Sequence, residues 1–489
     1  MKHAILILAH KEFSLLCRII NYFAYNCDVF LHIDKKSSIT SEEMDTLHSY
    51  PNVKMITRKF SVHWGGFSML KCELYMLRQA LEKSDASYFH LISGQDYPIR
   101  PLDDLLSFFN SCGKKNYIYF HHLPYVWWEG CTFHRFQYYY PYDWVQGRTE
   151  KGQKFINSFL KRQVKWNIKR SIPDQFAHLY GGSQWFSITR KAVVALLDYT
   201  NECPAFYRRM KYTYAPEETY VSTILVNLLP KEEIVCDDLR FVRWKYENGS
   251  FPANLSMEHF ALFFLRKDLF VRKIATPNSD TLLAVIDEYL LKNVYIDKGA
   301  TGVWKVKSFL PYTFNHSLGN AILNLYYMLD VETVLDAGCG AGLYVCFWRA
   351  NGMAVAGCDG NPYTTELSSL LLSSTPCEVA DLTDDLEVED KEPFDMVICM
   401  DVLCDIPTVN LAKVIFNLVR LCGKYLLITL PKNKQSKNDN VEMEFLATKK
   451  LVMQKVNEFG FVLNIMGTNF LSMQVMSEME RDFLLFQKI

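Results

Sequence analysis

Two rhythms of apolar residues run along this chain, and each returns in its second half. "AILILA" (4–9), "CDVFLHID" (27–34), "NVKMIT" (52–57) and "YFHLIS" (88–93) are short, nearly continuous apolar runs, which predict buried strands. Residues 12–24 and 68–83 space their apolar groups by three and four, the second with Leu70, Leu74, Leu77 and Leu81 on one face, and predict helices. Strands alternating with helices predict an α/β domain with a mostly parallel sheet. From about residue 313 a second alternation begins: helix 317–329, strands 331–336, 353–358 and 394–400, helix 408–421 and strand 424–430. Between the two, the stretch around 288–312 loses periodicity, carries Gly299 and Gly302 and reaches a proline at Pro311. The expected division is therefore a domain over 1–290, a linker over 291–312 and a second domain over 313–489.

Composition narrows the classes. A chain of 489 residues exceeds one ordinary core, and 49% hydrophobic with 22% charged residues describes a soluble globular protein. A net charge of −1, from 53 basic against 54 acidic residues, gives no general attraction to nucleic acid. The 14 cysteines form no Cys-x-x-Cys pair, which argues against zinc ribbons and suits free thiols in a reducing compartment. The first apolar run stops at Ala9, too short for a signal sequence, and no later run reaches the ~18 apolar residues of a membrane helix. A cytoplasmic location is expected. Residues 115–180 are crowded with aromatics, which build cores more often than sugar-stacking platforms. Residues 151–171 predict a helix with Ile156, Leu160, Val164 and Ile168 on one face, flanked by Lys161, Arg162, Lys165, Lys169 and Arg170. Such a helix either packs on the sheet with a solvated basic face or makes a peripheral contact with the inner face of a membrane.

"VLDAGCGAG" (334–342) supplies Asp336 and then Gly338, Gly340 and Gly342, a loop that lets backbone amides approach a cofactor ahead of a helix N-terminus. A strand later, "AVAGCDGN" ends in Asp359, placed to hold ribose hydroxyls. Residues 315–489 resemble the class I S-adenosylmethionine-dependent methyltransferases, with a Rossmann-like fold. The resemblance implies cofactor contacts at Asp336, Gly338, Gly340, Asp359, Asp381 and Leu382, the last two from "EVADLTD". "FDMVICMDVLCDIP" is similar to the family's fourth-strand motif, with Asp405 where many relatives have histidine. The methylated atom stays open, and the alternative is an active glycosyltransferase whose C-terminal domain is non-catalytic, either binding S-adenosylmethionine as a sensor or kept for packing. No base-flipping motif or basic arm points to a nucleic acid substrate.

In the first domain, "SGQDYPIRP" (93–101) interrupts a buried strand with Gly94 and Asp96 at the sheet's carboxyl edge, where α/β folds bind ligands. "GGSQWFSITRKAV" (181–193) predicts a glycine-permitted turn carrying Ser183, Gln184 and Trp185, then an apolar stretch. "YAPEETYVSTIL" (214–225) uses Pro216 to open a helix whose first turn holds Glu217 and Glu218; acids there also simply offset the helix dipole. Together these stretches resemble the core-2/I-branching N-acetylglucosaminyltransferase and peptide O-xylosyltransferase family (glycosyltransferase family 14). The family implies a GT-A-like domain and a UDP-sugar donor. Carried over by motif, His10, Asp34, Lys35, Trp64, Gly94 and Asp96 bind the donor, and Ser183, Gln184 and Trp185 the acceptor. Glu218 is the catalytic base, and Lys273 with Arg272 or Arg266 meets the diphosphate. No Asp-x-Asp occurs in residues 1–300, so no metal is expected. The expected activity is inverting transfer of N-acetylglucosamine or xylose to a glycan or lipid-linked glycan in bacterial surface polysaccharide synthesis, fused to a methyltransferase. A carbohydrate-binding protein with both sites inert is the remoter alternative.

Overall fold

The computed structural model describes residues 1–125, 133–174, 176, 178–265, 268–291, 294–297, 303–306, 314–371, 377–386, 392–404, 406–431, 439–475 and 481–489. It divides into two compact units: Met1–Ser256 with Asp268–Leu282, and Met257–Lys267 with Leu283–Ile489.

The first unit is built on strands β1 (His3–Ala9), β2 (Cys27–Ile33), β3 (Val53–Thr57), β4 (Tyr88–Ser93), β5 (Asp96–Pro98), β6 (Asn116–His122), β7 (Tyr180–Thr189), β8 (Ile234–Val235), β9 (Arg240–Val242) and β10 (Phe270–Arg272). Its main sheet has the order β3-β2-β1-β4-β7-β6-β8, and β5, β10 and β9 form a small second sheet. Strands β3, β2, β1 and β4 run parallel, whereas β7 reverses against β4 and β6 against β7. β2 and β4 are buried along their whole length, which is why their sequences are continuous apolar runs without alternation. Helices Phe67–Lys83, Arg190–Glu202 and Glu217–Leu228 close the core through Leu70, Leu74, Leu77, Leu196 and Ile224. The parallel registers, Ala9 with Ile33 and Leu8 with Ser93, align the carboxyl ends of β1, β2 and β4. His10, Asp34 and Gly94 follow those ends directly.

One expectation is overturned. "GGSQWF" is not a turn but lies within β7, a ten-residue strand. The glycine is needed for close approach: a Cβ on Gly182 would lie 2.0 Å from the Tyr119 carbonyl oxygen, where the β6–β7 register shifts between Ile118 and Phe120. Within the expected linker the chain also forms an antiparallel pair, β11 (Val294–Asp297) with β12 (Val303–Val306).

The second unit contains β13 (Val334–Ala337), β14 (Val355–Asp359), β15 (Glu378–Val379), β16 (Phe394–Met400), β17 (Cys422–Pro431), β18 (Phe461–Leu463) and β19 (Arg481–Lys488), in the order β15-β14-β13-β16-β17-β19-β18. β19 runs against both of its neighbours, and the strands from β15 to β17 are parallel. The chain winds outward from β13 in one direction and from β16 in the other. That reversal opens a crevice at their carboxyl ends, the position where such sheets bind ligands.

Candidate functional site

At the carboxyl edge of the first sheet, Asp34 is buried and used as a brace. Its Oδ1 accepts from the Lys36 amide at 2.7 Å and its Oδ2 from the Val62 amide at 2.9 Å. Lys35 is exposed beside it. Gly94 donates its amide to the Leu8 carbonyl, and a Cβ there would meet that of Ala9 at 3.0 Å. Asp96 is fully buried and faces inward, accepting from the Ser93 amide at 2.9 Å and from Arg272 Nη1 at 2.7 Å, with Arg240 Nε at 3.7 Å. Asp96 thus sets the position of a guanidinium. Arg272 then lies over the Trp185 ring, 4.6 Å from its centre.

Lys273 donates to Ser250 Oγ at 2.9 Å. Desolvation first, then repulsion from Lys11, Arg148 and Arg272, holds its ammonium down to about 8. Four cations therefore crowd one end of the cleft, an arrangement that invites a polyanion. His10 is also lowered, by desolvation and then by Lys11 and Arg148. Arg148 stands 5.0 Å over the Trp64 ring, and Trp64 packs edge-on against Tyr142 and Tyr214. Arg135 lies over the Tyr214 ring, 4.6 Å from its centre, and its Nη1 donates to Glu218 Oε2 at 2.7 Å. A continuous chain of contacts thus joins the cation cluster to Glu218.

The two acids of the helix start have opposite surroundings. Pro216 precedes the helix Glu217–Leu228, and successive helix residues point about 100° apart. The Glu218 side chain is 32% exposed, while Glu217 is buried. Burial first, then the Glu218 charge, pushes the Glu217 carboxyl up to about 8. Glu73 is completely buried, with neither carboxyl oxygen hydrogen-bonded among the described residues; desolvation, then Glu217, raises it well above the ordinary range. On β7, Ser183 Oγ accepts from the Trp185 amide at 3.1 Å, and Gln184 Nε2 is buried without a partner among the described residues. Arg266 lies outside the described residues.

In the second unit the loop after β13 turns on Gly338, Gly340 and Gly342, with φ of 82°, 55° and 75°. Asp359 ends β14 and anchors that loop: its Oδ2 accepts from the Gly340 amide and its Oδ1 from the Asn361 amide, both at 2.9 Å. Asp336 is buried with both carboxyl oxygens unpartnered among the described residues, and desolvation raises it well above its ordinary value. Asp381 holds Thr383 through its Oδ1, and Leu382 is buried beside it. An orphaned buried acid beside glycines in left-handed conformation fits a polar cofactor that brings its own donors. Next to this loop, a hydrogen bond from Cys339 holds the Cys377 thiol down to about 7.

The family profile described as core-2/I-branching enzyme matches residues 4–267. The chain belongs to the core-2/I-branching enzyme family. A second profile, for a methyltransferase domain, matches residues 335–424. Xylosyltransferase 1 of Canis lupus familiaris is 25% identical over 327 residues, covering 61% of this chain and 31% of the relative. Xylosyltransferase 2 of Homo sapiens is 26% identical over 283 residues, covering 53% and 30%. The chain thus spans about a third of the length of these relatives. Among solved structures, the magnesium protoporphyrin IX methyltransferase of Synechocystis PCC 6803 with bound SAM aligns over 35% of this chain and 78% of its own, at 17% identity and a TM-score of 0.25.

Within this family member, His10, Asp34 and Gly94 directly follow strand ends of the first sheet, and Asp336 and Asp359 lie at strand ends of the second. Sequence reasoning missed Lys11, Arg135, Arg148 and Glu73. Arg135 and Arg148 sit in the aromatic-rich stretch, whose only legible signal was its composition, and Glu73 hides on a helix read for its leucines.

Proposed function

We propose that the first unit transfers a sugar, N-acetylglucosamine or xylose, from a UDP-sugar to a glycan hydroxyl with inversion and without a metal. The second unit is an S-adenosylmethionine-dependent methyltransferase, and the pair serves bacterial surface polysaccharide synthesis. The observation that carries this reading is the contact chain from Glu218 through Arg135, Tyr214 and Trp64 to Arg148, whose charge is near enough to repel those of Arg272 and Lys273. Inverting transfer needs a carboxylate to take the acceptor proton on one side of the anomeric carbon and positive charge on the departing diphosphate on the other. Glu218 is the base, oriented by Arg135, and the cation cluster meets the leaving group. The xylosyltransferase relatives support xylose as one of the two donor sugars. S-adenosylmethionine supplies an electrophilic methyl group. Asp336, Asp359 and the glycine loop would hold it.

The deciding experiment incubates the full chain with a panel of nucleotide sugars in excess chelator and follows nucleotide release. Turnover of a UDP-sugar under chelation is expected. Activity that disappears with chelator and returns with manganese would refute the diphosphate mechanism.

A further inference from the structure

Residues 150–171 carry seven basic residues against one acidic, a net charge of +6 in a chain of net −1. The helix Glu150–Lys165 is fastened on one side only. Ile156 is buried among Tyr138, Tyr140 and Tyr142. The Gln163 side chain donates to the Tyr139 carbonyl at 3.0 Å and accepts from the Tyr139 amide at 2.8 Å. Past the helix end, Arg170 turns inward to the carbonyls of Tyr138, Arg209 and Lys211. The segment between these two anchors, residues 164–169, is exposed at every position.

What that segment displays is mixed in a particular way. Val164, Trp166 and Ile168 are 55%, 64% and 43% exposed, with Phe155 and Ile172 also open to solvent. Interleaved with them, Lys151, Lys161, Arg162, Lys165 and Lys169 are exposed and form no ion pair among the described residues; only Lys154 is neutralised, by Glu150 at 2.6 Å. A merely solvated basic face would not hold a tryptophan and two branched aliphatics outward on a turn braced at both ends. Anionic lipid satisfies both features at once: headgroups neutralise the cations, and the interfacial layer takes the apolar side chains.

We infer that residues 150–172 form a docking surface for an anionic lipid bilayer. The contact is peripheral, since no described helix is long and apolar enough to cross a membrane. Arg148, which stands over Trp64 in the cleft, is followed directly by the helix cap Thr149. A helix of this size spans roughly 24 Å, so docking would hold the cleft close to the lipid surface. The inference does not depend on the transferase reading, because it rests on exposed side chains outside that cleft.

The test is co-sedimentation of the full chain with vesicles of neutral phosphatidylcholine alone or mixed with phosphatidylglycerol, at low and high salt. Binding to the mixed vesicles that salt weakens is expected. The triple change Lys161→Glu, Lys165→Glu and Lys169→Glu should lower partitioning by at least roughly tenfold, each lysine near the surface adding attraction. Trp166→Ala should weaken it at unchanged melting temperature. The inference is overturned if the unmodified chain ignores mixed vesicles, if neutral vesicles bind it equally, or if the triple variant sediments like the parent. A soluble acidic polysaccharide that binds as tightly as vesicles, regardless of Trp166, would reassign the face to glycan and overturn it too.

Discussion

Adjacent acids at one helix start have different surroundings because Glu217 is buried in the core and Glu218 is part-exposed and paired with Arg135. Replacing Glu218 with Gln preserves shape and removes the carboxylate that the proposed mechanism uses as base, so turnover should fall by roughly 10²–10⁴-fold with UDP binding little changed, by steady-state kinetics and calorimetry. Glu217 makes a stability prediction. Its folded value of about 8 stands above the ordinary 4.5, so between those limits the native state keeps a proton that the unfolded chain has released. Stability from this group is present below about pH 4.5 and is lost as pH rises toward 8, and Glu73 acts with the same sign. Denaturation midpoints should therefore decline over this window, and the double change Glu73→Gln with Glu217→Gln should flatten the decline. An unaltered slope would mean that neither acid holds its proton in the native state. Lys273 predicts a pH effect on binding instead. With its ammonium held down to about 8, UDP affinity should drop above that pH as the charge is lost, and Lys273→Arg should keep affinity to higher pH. Calorimetry from pH 7 to 9.5 reads the difference.

Elements explain why some motifs were readable and others misread. The loop after β13 was legible because glycine at positive φ is a local requirement that the residue type itself announces. A Cβ on Gly338 would fall 2.3 Å from Val402 Cγ2 at a φ of 82°, so Gly338→Ala should weaken S-adenosylmethionine binding by at least roughly tenfold. Asp359→Ala should cost about 1–3 kcal/mol, losing both the ribose acceptor and the Gly340 anchor. Both are measured by titrating the full chain. The glycines of "GGSQWF" were misread as a turn because their requirement is not local. It comes from β6, distant in sequence and paired alongside. The helix expected over 151–171 shows the same limit: it ends at Lys165, and of its apolar positions Ile156 is buried while Val164 and Ile168 are exposed.

For the whole chain, the two-unit organisation makes the sites separable. Gly338→Ala should weaken methyl-donor binding while leaving UDP affinity intact, and Lys273→Ala should do the reverse. If S-adenosylmethionine fails to bind the unmodified chain, the second unit is left with a packing role. If it binds but no methyl group reaches any glycan product, a sensing role replaces the methyltransferase reading.

The sequence by itself determined the two α/β alternations, the family motifs and most strand positions, because burial on both sheet faces and glycine-dependent loops leave marks within a few residues. It also supplied Glu218, Lys273, Asp336 and Asp359 as candidates. Only the tertiary structure decided what each of them touches. The Asp96 clamp on Arg272, the Arg135 partner of Glu218 and the buried Glu73 beneath Glu217 join residues from about 80 to 180 positions apart. Such pairings follow from strand order and helix packing. They depend on burial and long-range charge, which no periodicity in a linear chain records.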